Sequence, residues 1–299
     1  MRSPSSRTGI LAGLAAAAIW GGMYVVSKVI LDVVPPFTLL SLRLLLAVFS
    51  LGLWMLWRRQ ALQLGRREWA GLLLIGLLGY GVSLGLQFSG VQLSTAANGA
   101  VITAATPVFI YLFAGPLLGE RVTGRRWLAL LLASLGVLVV VDPSQAQLNA
   151  DLWRGNLLLV AAAVTWALYS VLVRKATQFT DALRLSFVTF LGGLLWVLPA
   201  AALELGQQQI GPITWNVVLG VFYLGVISTA VAAYFWNFAF EVLEAGVASL
   251  TFFAQPLIGA VLGYMLLGEQ LSAFFLLGGL LILLGLWMAS QEDRISASR

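Results

Sequence analysis

The sequence predicts an all-α polytopic membrane protein, with ten transmembrane helices folded as two inverted five-helix repeats and both termini in the cytoplasm. Three observations predict it. Of 299 residues, 60% are hydrophobic and only 10% are charged, against about 25% charged in an ordinary soluble domain. Apolar runs of about 18 residues or more recur along the chain, each long enough to cross a hydrocarbon core about 30 Å thick. One passage is also written twice. ITAATPVFIYLFAGPLLGE at 102–120 returns as TFFAQPLIGAVLGYMLLGE at 251–269, with Pro107 on Pro256 and Glu120 on Glu269 at one constant offset.

The predicted spans are 9–31, 37–57, 69–90, 96–117, 125–142, 154–174, 183–204, 213–239, 245–267 and 273–290. Segment length and the lack of strict apolar–polar alternation make them helices rather than strands. The first run, from Gly9, has full spanning length and is too long for the core of a cleavable signal peptide. Short polar loops separate the spans, with breaks at Pro35–Pro36, Gly65, Pro143 and Gly211–Pro212.

Charge tests the count and gives the orientation. With the N-terminus inside, the inner segments hold Arg2, Arg7, Arg58, Arg59, Arg66, Arg67, Arg121, Arg125, Arg126, Arg174, Lys175, Arg184, Arg294 and Arg299, fourteen of the 17 basic residues. Adding or removing one span scrambles this bias, so the positive-inside rule supports ten spans. The same rule accounts for the pI near 9.9 without a nucleic-acid partner.

The halves echo each other elsewhere. GILAGLAAAAIW at 9–20 matches GNLLLVAAAVTW at 155–166, placing Trp20 on Trp166; Trp69 and Gly79 fall on Trp215 and Gly225 at that same offset. Each half then has five helices. Five is odd, so the second half lies upside down relative to the first, the architecture of many secondary transporters. The expected organisation is a first repeat at 1–143, a linker at 144–153, a second repeat at 154–290 and a cytoplasmic tail at 291–299. Duplication in a purely structural membrane protein is the alternative.

Chemistry is bounded by what is missing. Without cysteine or histidine there is no disulfide framework and no thiol nucleophile, and the commonest metal ligand and neutral-pH proton carrier are absent. No cofactor or metal is expected. An integral-membrane enzyme would need a reactive group in the bilayer, and no paired mid-span carboxylates exist. A channel would show charged rings or a carbonyl filter, and neither is present.

The matched prolines locate the expected site. Pro107 cannot donate a backbone hydrogen bond and its ring clashes with the Thr103 carbonyl; Pro256 does the same to Phe252. Each disruption costs about 3 kcal/mol in a helix interior. In hydrocarbon the freed carbonyls need partners, which a wet cavity supplies, and such carbonyls suit a substrate ammonium. The pair reads as hinge or site, with a packing kink as the alternative. Trp20 and Tyr24 share one face of helix 1, and Trp166, Tyr169 and Ser170 hold the corresponding place in helix 6. Midplane tryptophans either wall a pocket, by stacking or cation–π attraction, or pack the two helices together.

Polar stripes complete the set: Tyr80, Ser83 and Gln87 in helix 3; Ser94, Thr95, Asn98, Thr103 and Thr106 in helix 4; Ser228, Thr229, Tyr234 and Asn237 in helix 8; Ser249, Thr251 and Gln255 in helix 9. Amides and hydroxyls offer donors for a carboxylate and acceptors for an ammonium; interhelical hydrogen bonding is the alternative. The candidate substrate-binding residues are Trp20, Tyr24, Tyr80, Ser83, Asn98, Thr103, Trp166, Tyr169, Ser170, Tyr234 and Gln255, with Pro107 and Pro256 as hinges. Arg43, the one basic residue deep in a span, costs about 2.5–3.5 kcal/mol to insert and is expected to be a structural charge bonded to backbone carbonyls, a substrate carboxylate being its other possible partner. Gly9, Gly13, Ala17 and Gly21 are spaced for close helix packing, and Glu120 and Glu269 are expected to cap or tether.

On AAAAIWGG (15–22), RLLLA (43–47), LSTAANGAVITAATPVF (93–109) and the LLGE after each proline (117–120 and 266–269), the chain resembles the EamA-type branch of the drug/metabolite transporter superfamily, and within it the amino-acid exporters, including the aromatic-amino-acid group. The resemblance covers nearly the whole chain. It implies a multi-pass protein of the bacterial inner membrane that exports small metabolites. Together the readings predict a broad-specificity exporter of amino acids and related zwitterions, working by alternating access around a central cavity. Export of another class, nucleoside, sugar-type or cationic drug, is the rival. With no histidine and no mid-span carboxylate, strong proton coupling is not expected. The partners are the substrate and the bilayer, and a monomer suffices.

Overall fold

The computed structural model describes residues 5–94, 102–103, 105–120, 123–141, 152–267, 277–285 and 287–288. Helix α1 spans Ser6–Leu31 and α2 spans Pro36–Trp57. Pro36 opens α2 because its fixed φ fits the first helical turn, where its missing N–H is not needed. The Glu204 carboxylate accepts from the Phe37 and Thr38 N–H groups at 3.1 and 2.7 Å, so the orphan donors of this turn are satisfied from another helix.

Helix α3 runs as α-helix over Arg66–Gly76, as π-helix over Leu77–Ser83 and as α-helix again over Leu84–Gln92. Next come α4 (Thr106–Leu118), α5 (Gly124–Val141), α6 (Trp153–Ala176) and α7 (Ala182–Leu205). The Asp181 side chain caps α7 by accepting from Leu183 and Arg184 N–H. Helix α8 repeats the pattern of α3: α-helix over Trp215–Phe222, π-helix over Tyr223–Val231, α-helix over Ala232–Val242. Helix α9 comprises Ala245–Leu250, a 3₁₀ turn at Thr251–Phe253, and Ala254–Leu267. A further helical stretch lies at 277–285.

Among the described residues, five helical spans are long and apolar enough to cross a membrane: Pro36–Trp57, Arg66–Gly90, Trp153–Ala176, Ala182–Leu205 and Trp215–Val242. Phe49, Leu56, Trp57, Trp196, Leu203 and Trp215 are all more than half exposed. An apolar exterior of this kind suits hydrocarbon and not water, and the fold is that of a multi-pass membrane protein.

The helix contacts form pairs that exchange under a swap of halves. Helix α1 packs on α8 and α9, while α6 packs on α3 and α4. The π segment of α8 packs on α2, while that of α3 packs on α7. Helices α3 and α7 cross closely enough that a Cβ at Gly76 would fall on the Thr189 backbone, and one at Gly192 on the Leu73 backbone. Only glycine permits that approach.

Two predicted details change. Helix α3 starts at Arg66 and α8 continues to Val242, each three residues, just under one turn, beyond the predicted 69–90 and 213–239. Pro107 was expected inside a helix spanning 96–117, but it sits in the first turn of α4, where its missing donor leaves nothing unpaired.

Candidate substrate cavity

The two π-helical segments begin at Leu77 and Tyr223, which stand at the offset that relates Trp20 to Trp166. A π turn widens the helix and is frequent at functional sites. Here the two segments carry Tyr80, Ser83, Ser228 and Thr229, and all four line one central cavity of about 60 Å³. That is several times the room one water requires. Met23 and Trp20 of α1, Arg43 of α2, Thr103 and Thr106 at the start of α4, Trp166 of α6, and Phe252 and Gln255 of α9 complete most of its wall. Both halves of the chain therefore contribute, with equivalent elements facing each other.

Toward the Val242 end of α8 the cavity is backed by aromatic rings. Trp20 meets Trp166 edge to face at 5.9 Å and Trp236 at 5.5 Å, and Phe252 lies 5.5 Å from Trp236. Tyr80 meets Trp166 and Tyr169 at 5.8 and 5.2 Å. Offset and edge-to-face pairs of this kind add about 0.5–1.5 kcal/mol each beyond their buried area. Trp20 is also held by its indole N–H, which donates to the Ser228 carbonyl at 2.9 Å. This bond joins α1 to the π segment of α8.

Arg43 reaches the same cavity and is only 3% exposed. Its Nε donates to Thr229 Oγ1 at 3.1 Å and its Nη2 lies 3.3 Å from Met23 Sδ, with the guanidinium 5.7 Å from the Phe88 ring centre. Thr229 sends its own hydroxyl hydrogen five residues back to Leu224 O, at 2.7 Å. In an α-helix a threonine hydroxyl reaches three or four residues back; the wider π turn aims this one at Leu224 and leaves its lone pair for Arg43. Two buried atoms of the wall, Ser228 Oγ and Gln255 Oε1, have no hydrogen-bond partner among the described residues. Buried polar groups are nearly always satisfied, so both mark places where a bound molecule or water completes the bonding.

The structure brings together Trp20, Tyr80, Ser83, Thr103, Trp166 and Gln255 of the predicted set. Tyr169 stands one layer behind, fully buried, with its hydroxyl between Tyr80 Oη at 2.8 Å and Asn237 Oδ1 at 3.0 Å. Ser170 is occupied internally: its hydroxyl donates to Trp166 O and accepts from Trp236 Nε1. Tyr234 faces a separate depression beside Trp54, Arg58, Asp181 and Glu241. Helix α8 carries it five residues past Thr229, about one and a half turns, where the face has rotated away. Asn98 lies outside the described residues, as does the side chain of Tyr24. Arg43, expected as a structural charge bonded to carbonyls, instead bonds a hydroxyl and a thioether on the cavity wall. Met23, Phe252 and the alanines Ala162, Ala163 and Ala233 were not legible as wall; only Phe252 carried a signal, as the residue four before Pro256.

The prolines act differently from expectation. Thr103 O accepts the Thr106 hydroxyl at 2.7 Å. The carbonyl opposite Pro107 thus has a donor from its own chain, and neither Pro107 nor Pro256 is among the residues lining the cavity. What the breaks achieve is matched tight turning. Ala105 N–H donates to Ile102 O and Ala254 N–H to Thr251 O, the same pair one repeat apart. These turns aim Thr103, Thr106, Phe252 and Gln255 inward.

The LLGE motif gains a physical reason in its first copy. Gly119 ends α4 in the left-handed region, at φ 72°, the conformation that glycine adopts without penalty. Its turn sends Glu120 to the N-terminus of α9, where the carboxylate accepts from Ala245 and Gly246 N–H at 2.7 and 3.1 Å. Glu244, at the cap position of α9, pairs with Arg126 of α5. Glu269, the second copy's glutamate, lies outside the described residues.

Comparison with known proteins agrees with this geometry. The profile of the EamA-like transporter family matches residues 7–142 and again residues 153–291. An "uncharacterized transporter" of Archaeoglobus fulgidus is 25% identical over 292 residues, covering 97% of this chain and 99% of that one. A "probable amino-acid metabolite efflux pump" of Escherichia coli K12 is 25% identical, covering 95% of each chain. A crystal structure 22% identical in sequence superposes with a TM-score of 0.82 over 97% of this chain and 99% of that chain, which establishes a shared fold. Matched over both halves by a single family, alike in fold, and built around a cavity between those halves, the chain belongs to the EamA-like transporters and is a membrane transporter, not an enzyme.

Proposed function

We propose that this transporter exports amino acids and related small metabolites, with broad specificity, across the inner membrane of a bacterium. The observation that carries this reading is the cavity at the seam of the two halves, where Ser228 Oγ and Gln255 Oε1 are buried without partners among the described residues, beside the Trp20–Trp166 pair. Such a wall offers apolar rings for a side chain and a few fixed polar groups for its backbone-like end, the usual make-up of a small-molecule site. The Escherichia coli relative named as an amino-acid metabolite efflux pump supports the same substrate class.

The proposed cycle is alternating access. Ten spans form two inverted repeats with cytoplasmic termini, and the halves rock so that the cavity opens to one side and then to the other. The exchanged contact pairs and the matched π segments support this, because each closure on one side then has a counterpart on the other. Transport runs without strong proton coupling. No Asp or Glu occurs among the described residues lining the cavity, and the chain has no histidine.

The test is counterflow in liposomes holding the purified protein, with labelled amino acids, sugars and nucleotide sugars compared side by side. Saturable amino-acid flux with cross-competition is expected, nearly unchanged by an imposed pH gradient. Flux confined to sugars or nucleotide sugars overturns the substrate class. Uphill uptake driven by a proton gradient alone overturns the coupling.

A further inference from the structure

Resting on the amino-acid reading of the same cavity, we propose that the recognised feature is the substrate's carboxylate, held by Arg43, and that a substrate's ammonium group is dispensable. The site is then selective for monoanionic and zwitterionic carboxylates and rejects cationic amines of the same shape.

The argument starts from charge. Arg43 is the one charged residue among those lining the cavity, and none of the described lining residues is acidic. A guanidinium keeps its charge under all ordinary conditions. The wall therefore presents a fixed positive charge in a space surrounded by rings and aliphatic side chains, where charges interact far more strongly than in water. A substrate of net charge +1 adds a second positive charge to that space, and a carboxylate neutralises the first.

Geometry adds direction. Arg43 is fixed by α8 through Thr229 and by α1 through Met23, so its position is set before a substrate arrives. The Thr229 hydroxyl is committed twice, to Leu224 O and to Arg43 Nε, so it offers the substrate little. Ser228 Oγ stands on the same π turn, and a hydroxyl donates to a carboxylate oxygen as readily as it accepts. Across the cavity Gln255 Oε1 is an acceptor without a donor. An ammonium or a neutral amide N–H can donate to it, so the donor there need not carry charge. The carboxylate end is met by a full charge, while the amino end is met by a neutral carbonyl oxygen. Charge-assisted bonds are about twice as strong as neutral ones.

The test uses the purified full chain in liposomes at about pH 6, below the α-amino range of about 7.7–8.0 and above the α-carboxyl range of about 3.3–3.7, and three compounds sharing one side chain: phenylalanine (zwitterion), N-acetylphenylalanine (anion) and phenylalaninamide (cation). Counterflow of each is measured with the wild type and with R43K and R43M. The wild type is expected to carry phenylalanine and N-acetylphenylalanine within a few-fold of each other and phenylalaninamide at least about tenfold less well, since a hydrogen bond to a charged group is a factor of about ten to a hundred. R43M is expected to lose that discrimination, and R43K to retain part of it because the charge remains without the planar fork. Phenylalaninamide carried as well as phenylalanine by the wild type overturns this inference while leaving the amino-acid reading standing. So does rejection of N-acetylphenylalanine with acceptance of the amide. No flux of any of the three overturns both. The wild-type arm stands even if neither variant folds.

Discussion

Behind the cavity, one buried chain of hydrogen bonds has a fixed direction and therefore an asymmetric response to mutation. Ser186 gives its hydroxyl hydrogen to Ala182 O at 2.6 Å, so it accepts from Asn237 Nδ2 at 2.8 Å. That orientation turns Asn237 Oδ1 toward Tyr169, which donates to it at 3.0 Å. Tyr169 has then spent its hydrogen, and Tyr80 donates to Tyr169 at 2.8 Å. Ser186, Asn237 and Tyr169 are completely buried, and Tyr80 is 2% exposed. Tyr169→Phe removes the donor for Asn237 Oδ1 and the acceptor for Tyr80 Oη, leaving two buried orphans at about 1–3 kcal/mol each. The expected loss is roughly 2–6 kcal/mol. Tyr80→Phe removes a single donor and leaves only an unused lone pair, for a loss of about 0.5–1.5 kcal/mol. In the double variant Tyr80 is no longer orphaned and its bond to Tyr169 is not lost a second time, so the combined loss falls short of the sum by roughly 1.5–4.5 kcal/mol. The assay is reversible unfolding in mixed detergent micelles, followed by circular dichroism. Equal losses for the two single variants, or additivity within about 0.5 kcal/mol, would refute the assigned direction of the chain.

Three further outcomes are expected. Glu120→Ala uncaps α9 and lowers stability by about 0.5–2 kcal/mol; Glu120→Gln keeps an acceptor oxygen, loses the charge and costs about 0.3–1 kcal/mol. A melting temperature unchanged in both would detach LLGE from the cap described above. Because the chain has no cysteine, single cysteines at Gln63 and Gln208 report orientation. In intact cells an impermeant maleimide should label only the second, and the reverse pattern would invert the topology. Trp20→Phe keeps a ring but deletes the donor to Ser228 O, so the ranking of amino acids in counterflow should change; an unchanged ranking makes Trp20 packing alone.

Parts of the site were legible because they rest on local pattern. Trp20, Trp166, Tyr80, Ser83, Thr103 and Gln255 stood out as polar or aromatic groups in mid-span, and each lies on the cavity. Tyr169 and Ser170 showed the same signal and do not. Trp166 and Tyr169 share one helix face, and only the placement of α3 decides that Tyr80 covers Tyr169 while Trp166 keeps an open side. Tyr234 was misplaced for a similar reason: mid-span polarity does not say which of two depressions a helix face meets. The prolines stand at matched turns, and the Thr103 carbonyl takes a donor from within the chain, which depends on turn geometry that no residue count reveals.

Composition and pattern alone place this chain in a membrane, show that its two halves echo each other, and set Pro107 and Pro256 at matched positions in them. Those properties depend on composition, run length and spacing, and each is a property of the chain read in order. Tertiary structure alone decided where empty space lies. Arg43 looks like a costly structural charge until Thr229, turned by a π segment nearly 190 positions along the chain, holds it at the cavity wall. A void is defined by the absence of atoms from several helices at once, and no single helix encodes it.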